Sequence, residues 1–230
     1  MYSLGRNQRQ RLVKTNSYYW FTVAPLLSFF MASQAQSVDF LVQDTELQSC
    51  LQEIADVNQW HQPQDVTKIK CHSSNIHSLH GIEQFINLES LSLYNNKLKQ
   101  IDVSLTSLKK LTTLNLARNN LTHLTISDLP LVNTIYLFDN GLKTLILTNL
   151  INLEVFKANN NKIETFAYSN IPKLKKMYIF NNQLETINIY DLPSLQYMDC
   201  RQNPMPDSLY DEMDKQLDIT FLHDGNAEDW

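Results

Sequence analysis

Apolar residues recur at a fixed spacing along most of this chain. From residue 88 to residue 203, the pattern Leu-x-x-Leu-x-Leu-x-x-Asn-x-Leu returns, with a period of 21 residues from Leu111 onward. Its first position is held in turn by Leu111, Val132, Leu153, Leu174 and Leu195. A period of roughly 20–29 residues with this consensus predicts a solenoid, in which each coil adds one short strand to a continuous parallel sheet.

An asparagine closes the strand pattern of every regular coil. These residues are Asn96, Asn119, Asn140, Asn161, Asn182 and Asn203. A buried side-chain amide donates and accepts hydrogen bonds, so it can satisfy backbone groups of a turn that would otherwise be buried without partners. We therefore expect a structural asparagine ladder, in which each side chain bonds the turn of its own coil and that of the next coil.

The second half of each coil repeats the spacing of the first half. In the coil that begins at Leu111, the residues in question are Leu121, Leu124 and Ile126. The next coils have Leu142, Leu145, Leu147, Ile163, Phe166, Tyr168, Leu184, Ile187 and Ile189. Alternating inward positions predict a second extended segment on the convex side, so the solenoid should be thin and mostly β.

Residues 66–205 resemble the bacterial 21-residue class of leucine-rich repeats, whose two half-coils are nested versions of one motif. The resemblance implies a leucine-rich repeat solenoid that is mainly β, with a parallel concave sheet, extended segments on the convex side and short helical caps. In the wider family, such arcs bind proteins, and less often glycans, on the concave face. A fold alone does not establish a function, so the resemblance names no partner.

The coil that begins at Val66 departs from the regular pattern. Ser74 stands in place of the asparagine, and residues 81–85 lack the nested spacing. Residues 81–85 resemble the convex segment of internalin-like repeats, which implies a 3₁₀ or short helical turn there. The coil that begins at Leu88 is also irregular, because it is 23 residues long.

Both ends of a solenoid expose its core, so each end needs a capping element. Thr45-x-x-Gln48 is a capping-box pattern. It precedes apolar residues that share one helical face, namely Leu47, Cys50, Leu51, Ile54 and Val57. At the other end, a short helix and a closing strand at residues 219–222 are predicted from Leu209, Met213, Leu217, Ile219 and Leu222.

These patterns divide the mature chain into three parts. Residues 36–65 form the N-terminal cap region, residues 66–205 form about seven coils, and residues 206–230 form the C-terminal cap and an acidic tail. We interpret all three as one domain.

Residues 1–35 have the three-part pattern of a secretory signal peptide. A segment without acids carries the basic residues Arg6, Arg9, Arg11 and Lys14. An apolar run at residues 18–31 follows, which is shorter than a membrane span usually needs. Ser33 and Ala35 then occupy the −3 and −1 positions of a signal-peptidase site. We expect cleavage after Ala35, export to the periplasm or the extracellular space, and no stable membrane span; an uncleaved inner-membrane anchor is the alternative.

Removal of the leader would leave a strongly acidic chain. The formal charge of the whole sequence is −5, and without the four basic residues of the leader, 15 basic residues face 24 acidic ones, or about −9. Eight of the acids follow Pro206, where Lys215 is the only lysine or arginine. Such a field repels phosphate backbones, so we do not expect a nucleic acid partner. A solvated cap explains the acidic tail, and attraction to a basic partner is the alternative.

Three cysteines fit an exported fold. Cys71 occupies an inward position of the first coil, and Cys50 lies on the inward face of the helix expected to cover that coil. We expect a disulfide between them in an oxidising compartment; two buried thiols that pack as small apolar residues are the alternative. Cys200 occupies the same position in the last coil and is interpreted as a core residue.

The sequence does not predict an enzyme, a cofactor or a metal site. His72, His77 and His80 occupy the strand, the turn and the back of one coil, so they should not converge on a metal. The chain lacks Gly-x-Ser-x-Gly, His-Glu-x-x-His and phosphate-loop motifs, and it contains only four glycines for tight catalytic turns.

The positions between the inward anchors carry the candidate binding residues. On the concave side, Tyr136 with Phe138 and Tyr178 with Phe180 form two aromatic pairs beside Lys157. The remaining candidates, toward the ends, are Tyr94, Arg118, Tyr197 and Arg201. Exposed tyrosine, phenylalanine and arginine are typical of protein-binding surfaces. The alternative is that these aromatic residues simply favour strands and support one another across the sheet.

The sequence as a whole indicates an exported, non-enzymatic module that binds a protein partner through its concave face. A structural or envelope protein that self-associates through the same aromatic residues is one alternative. A glycan-binding module is another, since tyrosine and phenylalanine beside lysine and asparagine can stack on sugar rings.

Overall fold

Eight short parallel strands form the concave sheet, in the order β1-β2-β3-β5-β7-β9-β10-β11. The strands are β1 (Lys68–Lys70), β2 (Ser90–Ser92), β3 (Thr113–Asn115), β5 (Thr134–Tyr136), β7 (Val155–Lys157), β9 (Lys176–Tyr178), β10 (Tyr197–Asp199) and β11 (Thr220–Leu222). Each anchor pairs with the equivalent anchor of the next coil, so that Leu114 faces Ile135, which faces Phe156. The predicted parallel sheet of a leucine-rich repeat solenoid is confirmed.

These strands belong to a computed structural model that describes residues 40–225. All of them lie in one compact unit. The predicted leader, residues 1–35, and the end of the predicted acidic tail, residues 226–230, fall outside the described range.

A second sheet of three parallel strands lies on the convex side. It contains β4 (His123–Ser127), β6 (Thr144–Thr148) and β8 (Thr165–Ser169), in that order. The nested spacing therefore predicts the extended convex segment correctly in three coils. In each strand the inward residues face the core, with Leu145 and Leu147 of β6 fully buried.

The nested spacing is misleading in the next coil, where a 3₁₀ turn at Ile189–Asp191 replaces the expected strand. The Asn188 side chain accepts a hydrogen bond from the Tyr190 N–H at 3.0 Å and starts this turn. The Asn188 carbonyl accepts a hydrogen bond from the Tyr168 hydroxyl instead of joining a strand ladder. A local cap of this kind competes with strand pairing, and the repeat pattern does not reveal it.

The first two coils carry 3₁₀ turns on the convex side, at Ile82–Gln84 and Leu105–Ser107. The first of these turns lies within residues 81–85, as the sequence predicts. Gly81 precedes it with a φ of 96°, and a Cβ there would lie 2.0 Å from the Leu41 carbonyl oxygen. A side chain at this position would therefore clash with the backbone.

Two capping elements cover the core. Helix α1 (Thr45–Asn58) buries Leu47, Leu51 and Ala55, and helix α2 (Asp207–Asp214) buries Tyr210 and Met213. Strand β11 closes the concave sheet, in agreement with the predicted closing strand at residues 219–222.

Three details of the caps differ from the predictions. The N-cap of α1 is Asp44 rather than Thr45, and Asp44 Oδ1 accepts from the N–H groups of Glu46 and Leu47. Val57 is 82% exposed because it lies outside the buried stripe of α1. Leu217 is 93% exposed because α2 ends at Asp214, before this residue.

A disulfide joins Cys50 of α1 to Cys71 of the first coil, with a Cα–Cα distance of 6.0 Å. The Asp44 carboxylate adds a second link, since its Oδ2 accepts from the N–H groups of His77 and Ser78. The N-terminal cap is therefore fastened to the first coil by both a covalent bond and hydrogen bonds. Cys200 is buried and free, as the sequence suggests.

The asparagine ladder crosses every boundary between regular coils. Asn161 is typical: its Nδ2 donates to the Ala158 carbonyl of its own coil and to the Leu137 carbonyl of the preceding coil, both at 3.0 Å. Its Oδ1 accepts from the Leu142 N–H of the preceding coil at 3.1 Å. The expected direction was wrong, because each asparagine bonds the preceding coil rather than the next one. Each asparagine side chain is directed toward the preceding coil because the turn of that coil presents both a carbonyl acceptor and an N–H donor to it.

We expect Asn119→Ala to lower the free energy of unfolding by roughly 2–4 kcal/mol, because it leaves the buried N–H of Leu98 without a partner and removes one of the two asparagine hydrogen bonds that each of the Leu93 and Leu116 carbonyls accepts. The matched control is Asn120→Ala, since Asn120 is exposed and uses only its backbone N–H, which bonds Leu98. Its effect should stay within about 0.5 kcal/mol. Urea unfolding measures both variants, and equal losses would contradict a specific role of the ladder.

We expect the Cys50→Ala/Cys71→Ala variant to be less stable than the oxidised protein by about 2–4 kcal/mol, because the disulfide restrains the unfolded chain. Reduction of the natural protein should lower its unfolding midpoint toward that of the variant. The variant itself supplies the control, since a reductant should leave its midpoint unchanged. A midpoint of the natural protein that does not respond to reduction would argue against the bond.

Candidate functional site

The strands of the concave sheet alternate inward anchors with outward side chains, and aromatic rings occupy many of the outward positions. Six of them are half-buried: Tyr94, Tyr136, Phe138, Tyr178, Phe180 and Tyr197. We name the concave stripe by the residues whose rings or charged groups contact one another, namely Tyr94, Phe138, Tyr136, Lys157, Tyr178 and Tyr197, together with the outward ring of Phe180, which follows Tyr178 in the same coil.

The N-terminal part of the concave stripe is built around a small residue. Ala117 occupies the position between Tyr94 and Phe138, and the rings of Tyr94 and Phe138 approach to 6.4 Å between centroids although they come from coils that are not adjacent. Ala117 is 0% exposed. Its equivalents Tyr94 and Phe138 are half-buried, whereas the small methyl group of Ala117 leaves space that these flanking rings cover.

His72 extends this part of the surface toward the first coil. Its ring packs edge-on against Tyr94 with 5.6 Å between centroids, and its Nε2 lies 2.7 Å from Ser92 Oγ. Burial and the nearby Lys70 ammonium lower the pKa of His72, so the neutral imidazole is favoured.

A lysine lies between two tyrosine rings at the centre of the concave stripe. Lys157 Nζ is 4.6 Å from the centroid of the Tyr178 ring and 5.8 Å from that of Tyr136. Tyr136 also packs edge-on against Phe138, with 6.5 Å between centroids. Cation–π attraction of this kind holds a long side chain in place at a surface.

Two tyrosines form the C-terminal part of the concave stripe. The ring of Tyr178 contacts Tyr197, with 5.2 Å between centroids, rather than pairing with Phe180 as the sequence suggested. Both partners lie on neighbouring strands that are hydrogen-bonded in register. Burial and the nearby Asp199 carboxylate raise the pKa of Tyr197, so its hydroxyl stays protonated at neutral pH.

Both candidate arginines are already paired with acids. Arg118 Nε donates to Asp139 Oδ2 at 3.1 Å, while its guanidinium carbon lies 5.5 Å from the centroid of Tyr94. Arg201 forms two hydrogen bonds with the buried Asp199 carboxylate, at 2.9 and 2.8 Å. Asp199 raises the pKa of Arg201 through these bonds. The structure therefore places both arginines at the ends of the site as paired rather than free cations.

The residue that precedes each ladder asparagine adopts a left-handed backbone conformation. These residues are Asn95, Arg118, Asp139, Asn160, Asn181 and Gln202, and Ser73, which precedes Ser74 in the first coil, has the same conformation. Asparagine and aspartate tolerate this region best, so an arginine at φ 54° is unusual there. The unusual backbone places the Arg118 side chain beside Tyr94.

Sequence reasoning missed a second, exposed ladder formed by these same positions. Asn160 Nδ2 donates to Asp139 Oδ1 at 2.7 Å, and Asn181 Nδ2 donates to Asn160 Oδ1 at 3.1 Å. The signal was present, because Asn or Asp directly precedes the ladder asparagine in four coils.

The three clustered histidines do not converge. His72 lies beside Tyr94, whereas His80 pairs with Asp102 at 2.9 Å in another part of the coil. Within residues 40–225, no three His, Cys, Asp or Glu side chains are arranged to hold a metal ion. No helix in the same range is both long and apolar enough to cross a membrane.

A family model described as leucine rich repeat matches residues 86–142 of this chain. Among curated proteins, no sequence matches the chain significantly. Leucine-rich repeats form non-enzymatic binding scaffolds, and the sequence likewise predicts no enzyme. Proteins built from such repeats generally mediate protein–protein interaction.

Solved structures of bacterial proteins are similar to the chain. The internalin inlF of Listeria monocytogenes is 20% identical with a TM-score of 0.52, and the match covers 83% of this chain and 66% of that one. Internalin C2 of the same species is 16% identical with a TM-score of 0.51, covering 81% and 96%. A leucine-rich repeat protein of Leptospira interrogans is 26% identical with a TM-score of 0.43, covering 63% and 47%. The two internalins show that the chain has the fold of a leucine-rich repeat solenoid.

Proposed function

We propose that this chain is an exported recognition protein that binds a protein partner through the concave stripe. The observation that carries the proposal is the continuous run of side-chain contacts from Tyr94 through Phe138 and Tyr136 to Tyr178 and Tyr197, in which the Lys157 ammonium bridges the rings of Tyr136 and Tyr178. Tyrosine and phenylalanine dominate the energetics of protein interfaces because they bury a large area with few rotatable bonds.

The contacts among these rings favour binding in a further way. The rings of Tyr94, Phe138, Tyr136, Tyr178 and Tyr197 are packed against one another or against Lys157 before any partner arrives. Side chains that are already restrained lose less entropy on association. The surface is therefore organised in advance for a partner that presents complementary apolar groups.

The convex sheet supports the choice of the concave face by contrast. Its outward central positions, Thr125 in β4, Ile146 in β6 and Ala167 in β8, carry smaller side chains without aromatic rings. Small and β-branched residues of this kind are sufficient for a sheet surface without a partner. Among the outward positions of the two sheets, the aromatic residues are thus concentrated on the concave one.

We further propose that the protein is exported after cleavage of the leader. The basic stretch, the apolar run and the Ser33/Ala35 pair support this proposal. The Cys50–Cys71 disulfide fits the same conclusion, because structural disulfides persist in oxidising compartments.

We expect the Phe138→Ala/Phe180→Ala variant to lose binding to partners that the natural protein retains in affinity capture from envelope and culture fractions. Truncation of an interface aromatic residue costs roughly 2 kcal/mol, or about 30-fold in Kd for each residue. The variant should keep its far-ultraviolet circular dichroism, because the outward rings do not belong to the buried anchors. Quantitative mass spectrometry of the retained proteins, followed by calorimetry with each purified protein, provides the measurement.

The control for this experiment is Thr125→Ala/Ile146→Ala, which changes the outward side of the convex sheet. It should retain the same proteins as the natural chain. Partners that remain bound to the Phe138→Ala/Phe180→Ala variant with unchanged Kd, or that are lost only with the convex variant, would contradict the concave site.

We expect intact-mass spectrometry of the exported protein to show a chain that begins at Gln36, because signal peptidase cleaves after a small residue such as Ala35. Replacement of Ala35 by a large residue, Ala35→Trp, should block processing and keep the leader attached. An exported chain that still begins near Met1 would overturn the cleavage.

A further inference from the structure

Lys157 differs from the other cations around the concave stripe in what surrounds its charge. Arg118 is paired with Asp139 at 3.1 Å, Lys175 with Glu154 at 3.0 Å, and Arg201 with Asp199 at 2.8 Å. For Lys157, the groups around the ammonium are the faces of Tyr136 and Tyr178. Among the described residues, no carboxylate lies within 4.0 Å of its Nζ, and no hydrogen bond uses this atom.

The two rings stabilise the ammonium only in part. A ring face attracts the positive charge, but it does not provide an oxygen acceptor for the three N–H donors of the ammonium. A half-buried cation without an acid therefore has strong residual attraction for an anion that reaches it.

The rings also restrict the lysine side chain. A free lysine loses about 2 kcal/mol of rotamer entropy when a binding partner immobilises it. Contacts with Tyr136 and Tyr178 hold the Lys157 side chain between them before binding, so much of that loss has already occurred.

We propose that Lys157 is a carboxylate-binding subsite. The proposal rests on the proposed function of the concave stripe and specifies its partner: a polypeptide segment that places an Asp or Glu carboxylate on the ammonium. Apolar or aromatic side chains next to that acid pack on Tyr136, Phe138 and Tyr178.

The charges of the site favour a carboxylate over a phosphate group. A phosphate ester carries close to two negative charges and is best bound by several donors, often from arginine. Both arginines beside the concave stripe are occupied by Asp139 and Asp199. The Lys157 ammonium, which lies between two rings and has no acid partner among the described residues, matches a single negative charge, and Phe138 beside Tyr136 offers an apolar surface without a polar atom.

The test uses a phage-displayed library of random linear dodecapeptides, selected on the natural protein with its disulfide intact. We expect enriched peptides to contain Asp or Glu flanked by aromatic or large apolar residues. Calorimetry with a synthetic copy of an enriched peptide should show that Lys157→Met weakens binding about 10-fold or more. Methionine keeps an unbranched apolar chain between the two rings, so the fold and the ring contacts should survive.

Three further measurements isolate the charge and the position. Conversion of the acidic residue of the peptide to its amide should weaken binding as much as Lys157→Met does, and the two changes together should cost little more than either one. Lys157→Arg should restore part of the affinity. Lys176→Met is the matched control, because Lys176 is an exposed lysine on the neighbouring strand β9, and its loss should change Kd less than about twofold.

The outcomes separate this inference from the proposed function. Enriched peptides without acids, or acidic peptides that bind Lys157→Met as tightly as the natural protein, would overturn the carboxylate subsite while dependence on Phe138 and Phe180 upholds the concave stripe. Peptides that bind the Phe138→Ala/Phe180→Ala variant unchanged, or no enrichment at all, would contradict both proposals. Tight binding of polygalacturonate that requires Lys157 and displaces the peptides would overturn the assignment to a polypeptide.

Discussion

The solenoid depends on the hydrogen bonds that each buried asparagine makes across the boundary between two coils. One amide satisfies a carbonyl in its own turn, together with a carbonyl and an N–H in the turn before it, as Asn161 does with Ala158, Leu137 and Leu142. Because those backbone groups are buried, an unsatisfied partner would cost more than the bond itself contributes. The ladder therefore allows only one alignment of neighbouring coils, and this alignment places outward side chains in straight rows.

The alignment in rows brings aromatic residues that are far apart in the sequence together on one surface. Tyr136, Lys157 and Tyr178 occupy equivalent positions in three successive coils, so the cation lies between the rings without any special local structure. The same alignment brings Tyr178 against Tyr197 and allows Tyr94 to meet Phe138 over Ala117. The proposed binding surface thus consists of side chains that are spaced by a rigid backbone.

The fold could be predicted from the sequence because its determinants are local and repeated. The anchors, the ladder asparagines and the inward positions of Cys50 and Cys71 are all visible as spacing. The predictions were wrong where an element depends on what lies beside it. The nested residues after Leu184 do not form a strand, because the Asn188 side chain caps a turn and the Asn188 carbonyl accepts a hydrogen bond from the Tyr168 hydroxyl. Val57 is exposed because only part of the helix surface has a coil to cover.

The candidate site was predictable in composition but not in contacts. The sequence identifies the outward aromatic residues, but the burial of Ala117 depends on the side-chain conformations of the two flanking rings. The pairing of the arginines depends on acids elsewhere: Asp199 lies two residues before Arg201, and Asp139 lies one coil after Arg118. The spacing of residues along the chain predicts on which face of the sheet a side chain lies, but it does not predict the conformation of that side chain.

The strict register has an evolutionary consequence. Loss of residues 153–173, one whole coil, would leave every anchor and asparagine in alignment, so the shorter chain would still form a closed stack of coils. It would lack Lys157, however, and Tyr178 would lie directly beside Tyr136 in place of the cation. Gain or loss of a coil through unequal recombination can therefore exchange the charged centre of the concave stripe for an apolar one in a single genetic step.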